Sequence, residues 1–287
     1  MVTLRRAGMV VLALAFFVPG AGTAAAVPSR IVSLSPTATE DLFAIGAGKQ
    51  VVAVDNQSNY PASAPHTKLS GYTPNAEAIA GYRPDLVVVS ADLGHVVEAL
   101  HELKIPVLVE PTASTLGDAY GQIDALGKAT GHAAAAASLV GRMRSQIASI
   151  AASVPRPAKP ITVYHELEQD LYSATSTTFI GRIYTLLGLK DIADAAGKSG
   201  SGYPQLSSEF VVAADPDLIV LADTKCCGQS AATVAKRPGW STITAVRKHD
   251  VLAVNDDIAS RWGPRVVDFV RMVAAGVKRI VARGGRG

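Results

Sequence analysis

Short runs of aliphatic and β-branched residues recur along the chain, separated by stretches with helical periodicity. Residues 30–34, which hold Ile31, Val32 and Leu34, read as a buried strand. Residues 36–47 follow as a turn and a helix, with Glu40 and Asp41 in its early turns, where the helix dipole favours acids. Further strands are predicted at residues 51–54, 86–89 and 107–109, with helical segments at 76–81 and 96–103 between them. Continuous apolar runs of this length, alternating with helices, predict a parallel sheet covered on both faces.

The pattern changes in the middle of the chain. From residue 115 to residue 154 the apolar positions step by three and four. Leu116, Tyr120, Ile123 and Leu126 mark a first helix, and Leu139, Val140, Met143, Ile147 and Ile150 a second. Gly131 separates them, and Pro155, Pro157 and Pro160 end the second. Alternation then resumes, with strands at 161–164, 218–221 and 251–254, a helix at 179–187 and a closing amphipathic helix at 266–282. The fold expected is α/β: two lobes, each a mainly parallel sheet flanked by helices, joined by one long connecting helix. The expected boundaries are 27–131 for the first lobe, 132–154 for the helix and 155–287 for the second lobe.

An internal repeat supports the two lobes. Glu77 is followed, after six residues, by Pro84, Asp85 and Leu86. Glu209 is followed at the same spacing by Pro216, Asp217 and Leu218, 132 residues further on. A common helix-to-strand turn explains the Pro-Asp pair by itself, but not the matched glutamate.

Composition narrows the class. Hydrophobic residues make up 48% and charged residues 18%, which excludes a disordered chain. A formal charge of +3, with the basic residues scattered, gives no footprint for nucleic acid, and a monomer is expected. Arg5 and Arg6, an apolar run to about Val18, and the small residues Ala24 to Ala26 read as a secretory signal over 1–26, with cleavage before Val27. Export to the periplasm, cell envelope or exterior follows. No Cys stands near the cleavage site to carry a lipid anchor. The two cysteines, Cys226 and Cys227, are adjacent, so no long-range bridge forms within the chain. A vicinal disulfide, two thiols and an intermolecular bridge all remain open, and a vicinal disulfide stiffening the loop is preferred.

Catalytic signatures are missing. There is no G-x-S-x-G elbow; Gly197-Lys198-Ser199 lacks the upstream Gly of a phosphate loop, and Gly46-Ala47-Gly48 lacks the third Gly of a dinucleotide fingerprint. The six histidines show no metal-ligand spacing and read mostly as lone surface residues. An enzyme is not expected, and neither a resident metal nor a cofactor.

Several segments, in order along residues 29–283, resemble one family. The run from Arg30 through Ser35, Pro36 and Thr37 to Glu40 is similar to that family's opening. Similar too are Val51 to Tyr60-Pro61, Gly71 to Glu77, Glu166 to Tyr172, Phe179 to Gly181, Arg237 to Trp240, Ala245-Val246 and Arg261 to Arg265. The family is that of the ABC-importer binding proteins for cobalamin, haem and iron–siderophores. The resemblance implies two α/β lobes bridged by a rigid helix, a metal chelate held between them as transported ligand, and delivery to a membrane permease. It further implies that one glutamate on each lobe docks on permease arginines; Glu77 and Glu209 match those positions. Ligands of α/β sheets lie beyond the carboxyl ends of the strands. The loops there hold Pro36, Thr37, Tyr60, Tyr72, Asp92, Glu166, Tyr172, Arg261 and Trp262, the expected cleft residues, with Trp262 the favoured aromatic contact. Trp240 reads as lobe packing. The rival functions are a secreted haem or siderophore carrier that never meets a permease, and a secreted α/β enzyme.

Overall fold

A computed structural model of the chain describes residues 26–196 and 200–284. The expected signal segment, apart from Ala26, and the Gly197-Lys198-Ser199 run lie outside the described residues.

The first lobe holds four parallel strands: β1 (Ile31–Leu34), β2 (Val51–Val54), β3 (Leu86–Val89) and β4 (Val107–Val109). Its helices are α1 (Pro36–Ala44), α2 (Ala76–Ala80) and α3 (Val96–Glu102). Two helices follow, α4 (Leu116–Ala129) and α5 (Ala133–Ala152). The second lobe holds β5 (Thr162–Glu166), β6 (Lys190–Asp191), β7 (Leu218–Leu221) and β8 (Val251–Ala253). Around them stand α6 (Phe179–Leu186), α7 (Ser208–Ala214), α8 (Ala231–Val234), α9 (Thr244–Arg247), α10 (Asp256–Ser260) and α11 (Val266–Gly284).

Strand order is β2-β1-β3-β4 in one sheet and β6-β5-β7-β8 in the other, so the second sheet repeats the topology of the first. All pairings are parallel. The strands β1, β3 and β7 are buried along their whole length, as expected of sheets covered on both faces.

The repeat has a physical basis. Asp85 accepts hydrogen bonds from the Ser29 and Arg30 amides at the start of β1, both at 2.8 Å. Asp217 does the same for β5, through the Thr162 amide at 3.0 Å and its hydroxyl at 2.9 Å. Each aspartate therefore ties the entry of its own strand to the central neighbour. The residues two positions earlier, Arg83 and Asp215, both turn the chain with positive φ, 49° and 45°. The Pro-Asp pair is explained by this clamp; the glutamates upstream are not.

One hydrophobic core runs through both lobes. It includes Ile31 and Leu42 of the first, Leu139, Met143 and Ile147 of α5, and Val163, Tyr184 and Phe269 of the second. The helix α5 packs on α4 and α11 and so acts as the spine of the molecule. It has 20 residues and spans about 30 Å at ~1.5 Å per residue. That is three residues shorter than the sequence predicts, because the chain leaves the helix at Ser153 before the prolines. No helix among the described residues is long and apolar enough to cross a membrane.

Candidate ligand-binding cleft

In a sheet of order 2-1-3-4, a crevice opens where the chain direction switches, between the carboxyl ends of β1 and β3. In the first lobe, the residues after those strands line a cleft of about 360 Å³: Leu34, Ser35, Pro36 and Thr37 from one side, Ser90 and Leu93 from the other. Ser35 caps α1 and aims its first turn at this crevice. Gly71 forms part of the wall, where a Cβ would stand 2.7 Å from both the Asp55 carboxylate and the Leu34 carbonyl.

The second lobe contributes differently. Its own switch point, between β5 and β7, is plugged. Glu166, at the end of β5, is fully buried and accepts both terminal nitrogens of Arg237 at 2.6 Å, and the Tyr164 hydroxyl at 3.1 Å. Arg237 in turn stacks over the Trp240 ring, 4.5 Å from its centroid. Asp223, just past β7, is buried beside this pair, and burial together with the Glu166 carboxylate pushes its pKa up to about 7. What the lobe presents instead is α10 and the junction after it: Asp256, Asp257 and Ser260 of the helix, then Arg261 and Trp262.

Of the side chains expected in the cleft, Pro36, Thr37, Tyr72, Arg261 and Trp262 stand on its wall. Tyr72 is 76% exposed, an aromatic ring open to solvent at the rim. Trp262 reaches across the lobes, donating its indole N–H to Gln122 Oε1 at 2.7 Å and meeting Phe179 edge to face. The other expectations are relocated. Glu166 is withdrawn behind the wall by Arg237. Tyr60 lies in a separate hollow on the flank, held under the guanidinium of Arg265, 4.3 Å from the ring centroid. Asp92 is exposed beside the lining residues, its carboxylate accepting the Val97 amide at 2.9 Å. Tyr172 pairs with Gln205 in an isolated bridge of the second lobe. Trp240 is fully buried in the second lobe, its N–H on Ser208 Oγ.

Residues that sequence reasoning passed over complete the wall: Asp55, Gln57, Ser90, Thr112, Asp256 and Asp257. Burial pushes the Asp55 carboxyl up, against hydrogen bonds from Ser58 and Gln57. For Asp257 burial acts upward as well, but the Lys225 hydrogen bond, Arg261 and Asn59 outweigh it and hold it below its usual range. Beside this wall Cys226 and Cys227 form a vicinal disulfide. The Asp256 carboxylate anchors their loop through the amides of Lys225, at 2.9 Å, and Cys226, at 2.7 Å.

Glu77 and Glu209 are both exposed, each in the first turn of its helix, two positions after the capping Asn75 and Ser207. Neither enters a salt bridge with a described residue. One histidine departs from expectation: His165 is fully buried, its Nδ1 2.6 Å from the Tyr184 hydroxyl, and burial lowers its pKa to about 3. Among the described residues no group of three or more His, Cys, Asp or Glu is arranged to hold a metal ion.

Two lobes of one topology around an open cleft have the form of a binding protein. The chain belongs to the periplasmic binding protein family, whose model matches residues 31–258. This is a family of ligand carriers and not of enzymes, which removes the secreted-enzyme rival. The chain is 31% identical over 259 residues to an uncharacterised ABC-transporter substrate-binding lipoprotein of Bacillus subtilis, covering 87% of this chain and 80% of that protein. It is 32% identical over 256 residues to a cobalamin-binding protein of Halobacterium salinarum, covering 86% and 69% respectively. The crystal structure of the periplasmic vitamin B12-binding protein of Vibrio cholerae superposes with a TM-score of 0.72 at 26% identity, over 88% of this chain and 98% of that one.

Proposed function

We propose that this protein works outside the cytoplasm as the solute-binding component of an ABC importer. It captures a metal chelate between its lobes, cobalamin first among cobalamin, haem and iron–siderophores, and docks on the permease through Glu77 and Glu209. The observation that carries the reading is the equivalence of the two glutamates. They occupy the same position of the same helix in two lobes that flank one cleft, and both carboxylates are exposed, with no salt bridge to a described residue. A lone acidic residue in a first helical turn is ordinary. A matched pair, one per lobe, suits recognition by two arginine forks, which fixes orientation as well as contact. The names of the Halobacterium and Vibrio proteins put cobalamin first.

The double charge reversal Glu77→Arg with Glu209→Arg tests the docking. Uptake of labelled cobalamin through the cognate permease is expected to fall at least about tenfold, while the dissociation constant stays within about twofold. Undiminished uptake in the double variant would instead support a free carrier.

A further inference from the structure

We infer that the cleft selects for chelates without net negative charge, because Arg261, the one cation among the described residues lining it, is committed to a latch between the lobes. The inference rests on this cleft being the site of capture and concerns the charge of the cargo.

The commitment follows from where Arg261 stands. It leaves α10 in an extended conformation, φ −114° and ψ 136°, and its guanidinium crosses to the first lobe. There Nη1 donates to Glu40 Oε1 at 2.8 Å and to Asn59 Oδ1 at 3.0 Å. Nη2 donates to the Gln57 carbonyl at 3.0 Å and to Asp257 Oδ1 at 2.7 Å. A guanidinium has two protons on each terminal nitrogen, so both nitrogens are saturated by the protein itself. The side chain is 10% exposed, and that of Glu40 only 1%. Turning Arg261 toward a ligand acid would take one of two arginines from a buried carboxylate, an arrangement that is costly to break.

The neighbouring cations are engaged as well. Arg265 donates through Nε and Nη2 to Glu40, at 2.7 and 2.5 Å. Lys225 donates to Asp257 at 2.9 Å. Asn59 adds a further bond across the lobes, to Asp257 at 2.9 Å. Around the cleft, Arg261, Arg265 and Lys225 thus face Glu40, Asp257 and Asp256, and among the described residues there no positive charge is left over for cargo. The wall offers instead the hydroxyl residues Thr37, Ser90, Thr112 and Ser260, with Trp262 and Tyr72 as apolar surfaces. Such a wall suits a flat chelate edged with amides or hydroxyls. A polyanionic chelate would exchange its hydration for a wall whose cations are already taken by Glu40 and Asp257.

The test is a titration of the full chain with cyanocobalamin, which carries no net charge, and with a trianionic ferric tris-catecholate, repeated with Asp257→Asn. The wild type is expected to bind the neutral chelate about 100-fold more tightly or better, and Asp257→Asn, which releases one bond of the latch and one negative charge, to narrow the gap by about tenfold. Equal or tighter binding of the trianion by the wild type overturns the charge selection and leaves capture standing. Failure of both chelates, and of haem titrated beside them, to bind overturns the capture reading and the inference with it.

Discussion

Glu166 and Glu110 occupy comparable places, the first ending β5 and the second just past β4, and both are buried. Their fates differ because Glu166 meets the fork of Arg237, whereas burial alone pushes Glu110 up to about 7. Asp41, nearby, is raised in the same direction by burial, then by the charges of Glu40 and Glu110. A carboxyl whose folded pKa lies above its unfolded value favours the fold while protonated. Its contribution is complete below about pH 4.5 and is lost as the pH rises through about 7. Glu110→Gln is therefore expected to raise stability by roughly 1 kcal/mol at about pH 8 and to change little at about pH 4, read from urea midpoints at the two pH values. Equal effects at both would contradict an ionising Glu110. The sequence could not separate these two glutamates. Arg237 lies 71 residues from Glu166, and only the folded second lobe brings them together. Tyr60 was misplaced for a similar reason, since the arginine that holds it belongs to the other lobe.

At the scale of elements, the strongest patterns were legible. Most of the strands were readable because each is a run of apolar residues between breakers. β6 was missed because it is two polar residues, Lys190 and Asp191, paired only along the edge of β5. The short α8 and α9 carry four residues each, too few for a helical period to show. The α4–α5 pair was visible in its periodicity, but its closeness was not. It depends on Gly127, where a Cβ would collide with the Cβ of Ala136 on α5. Alanine is favoured over glycine in a helix by about 1 kcal/mol. Gly127→Ala is nonetheless expected to destabilise the protein by about 1–3 kcal/mol in urea unfolding, because overpacking outweighs propensity. A stabilised variant would show that the two helices yield freely.

The whole molecule is two copies of one topology sharing a core, and the copies have diverged at their switch points. The first keeps its crevice open; the second fills its own with Glu166, Asp223 and Arg237 and lends α10 to its partner's cleft. The repeat of Glu77 and Glu209 made the doubling legible in the sequence. The divergence was not, since it consists of contacts between residues far apart in the chain. With α5 as spine and Arg261 bridging to Glu40, the two halves of the cleft are held in place before any ligand arrives, which lowers the ordering cost of binding. Calorimetric titration of the purified protein with cyanocobalamin tests capture most directly. The account predicts one saturable site per chain, and stabilisation of about 2.7 kcal/mol at about 100 times the dissociation constant. No heat of binding and no stabilisation with cobalamin, haem or any ferric siderophore would contradict it.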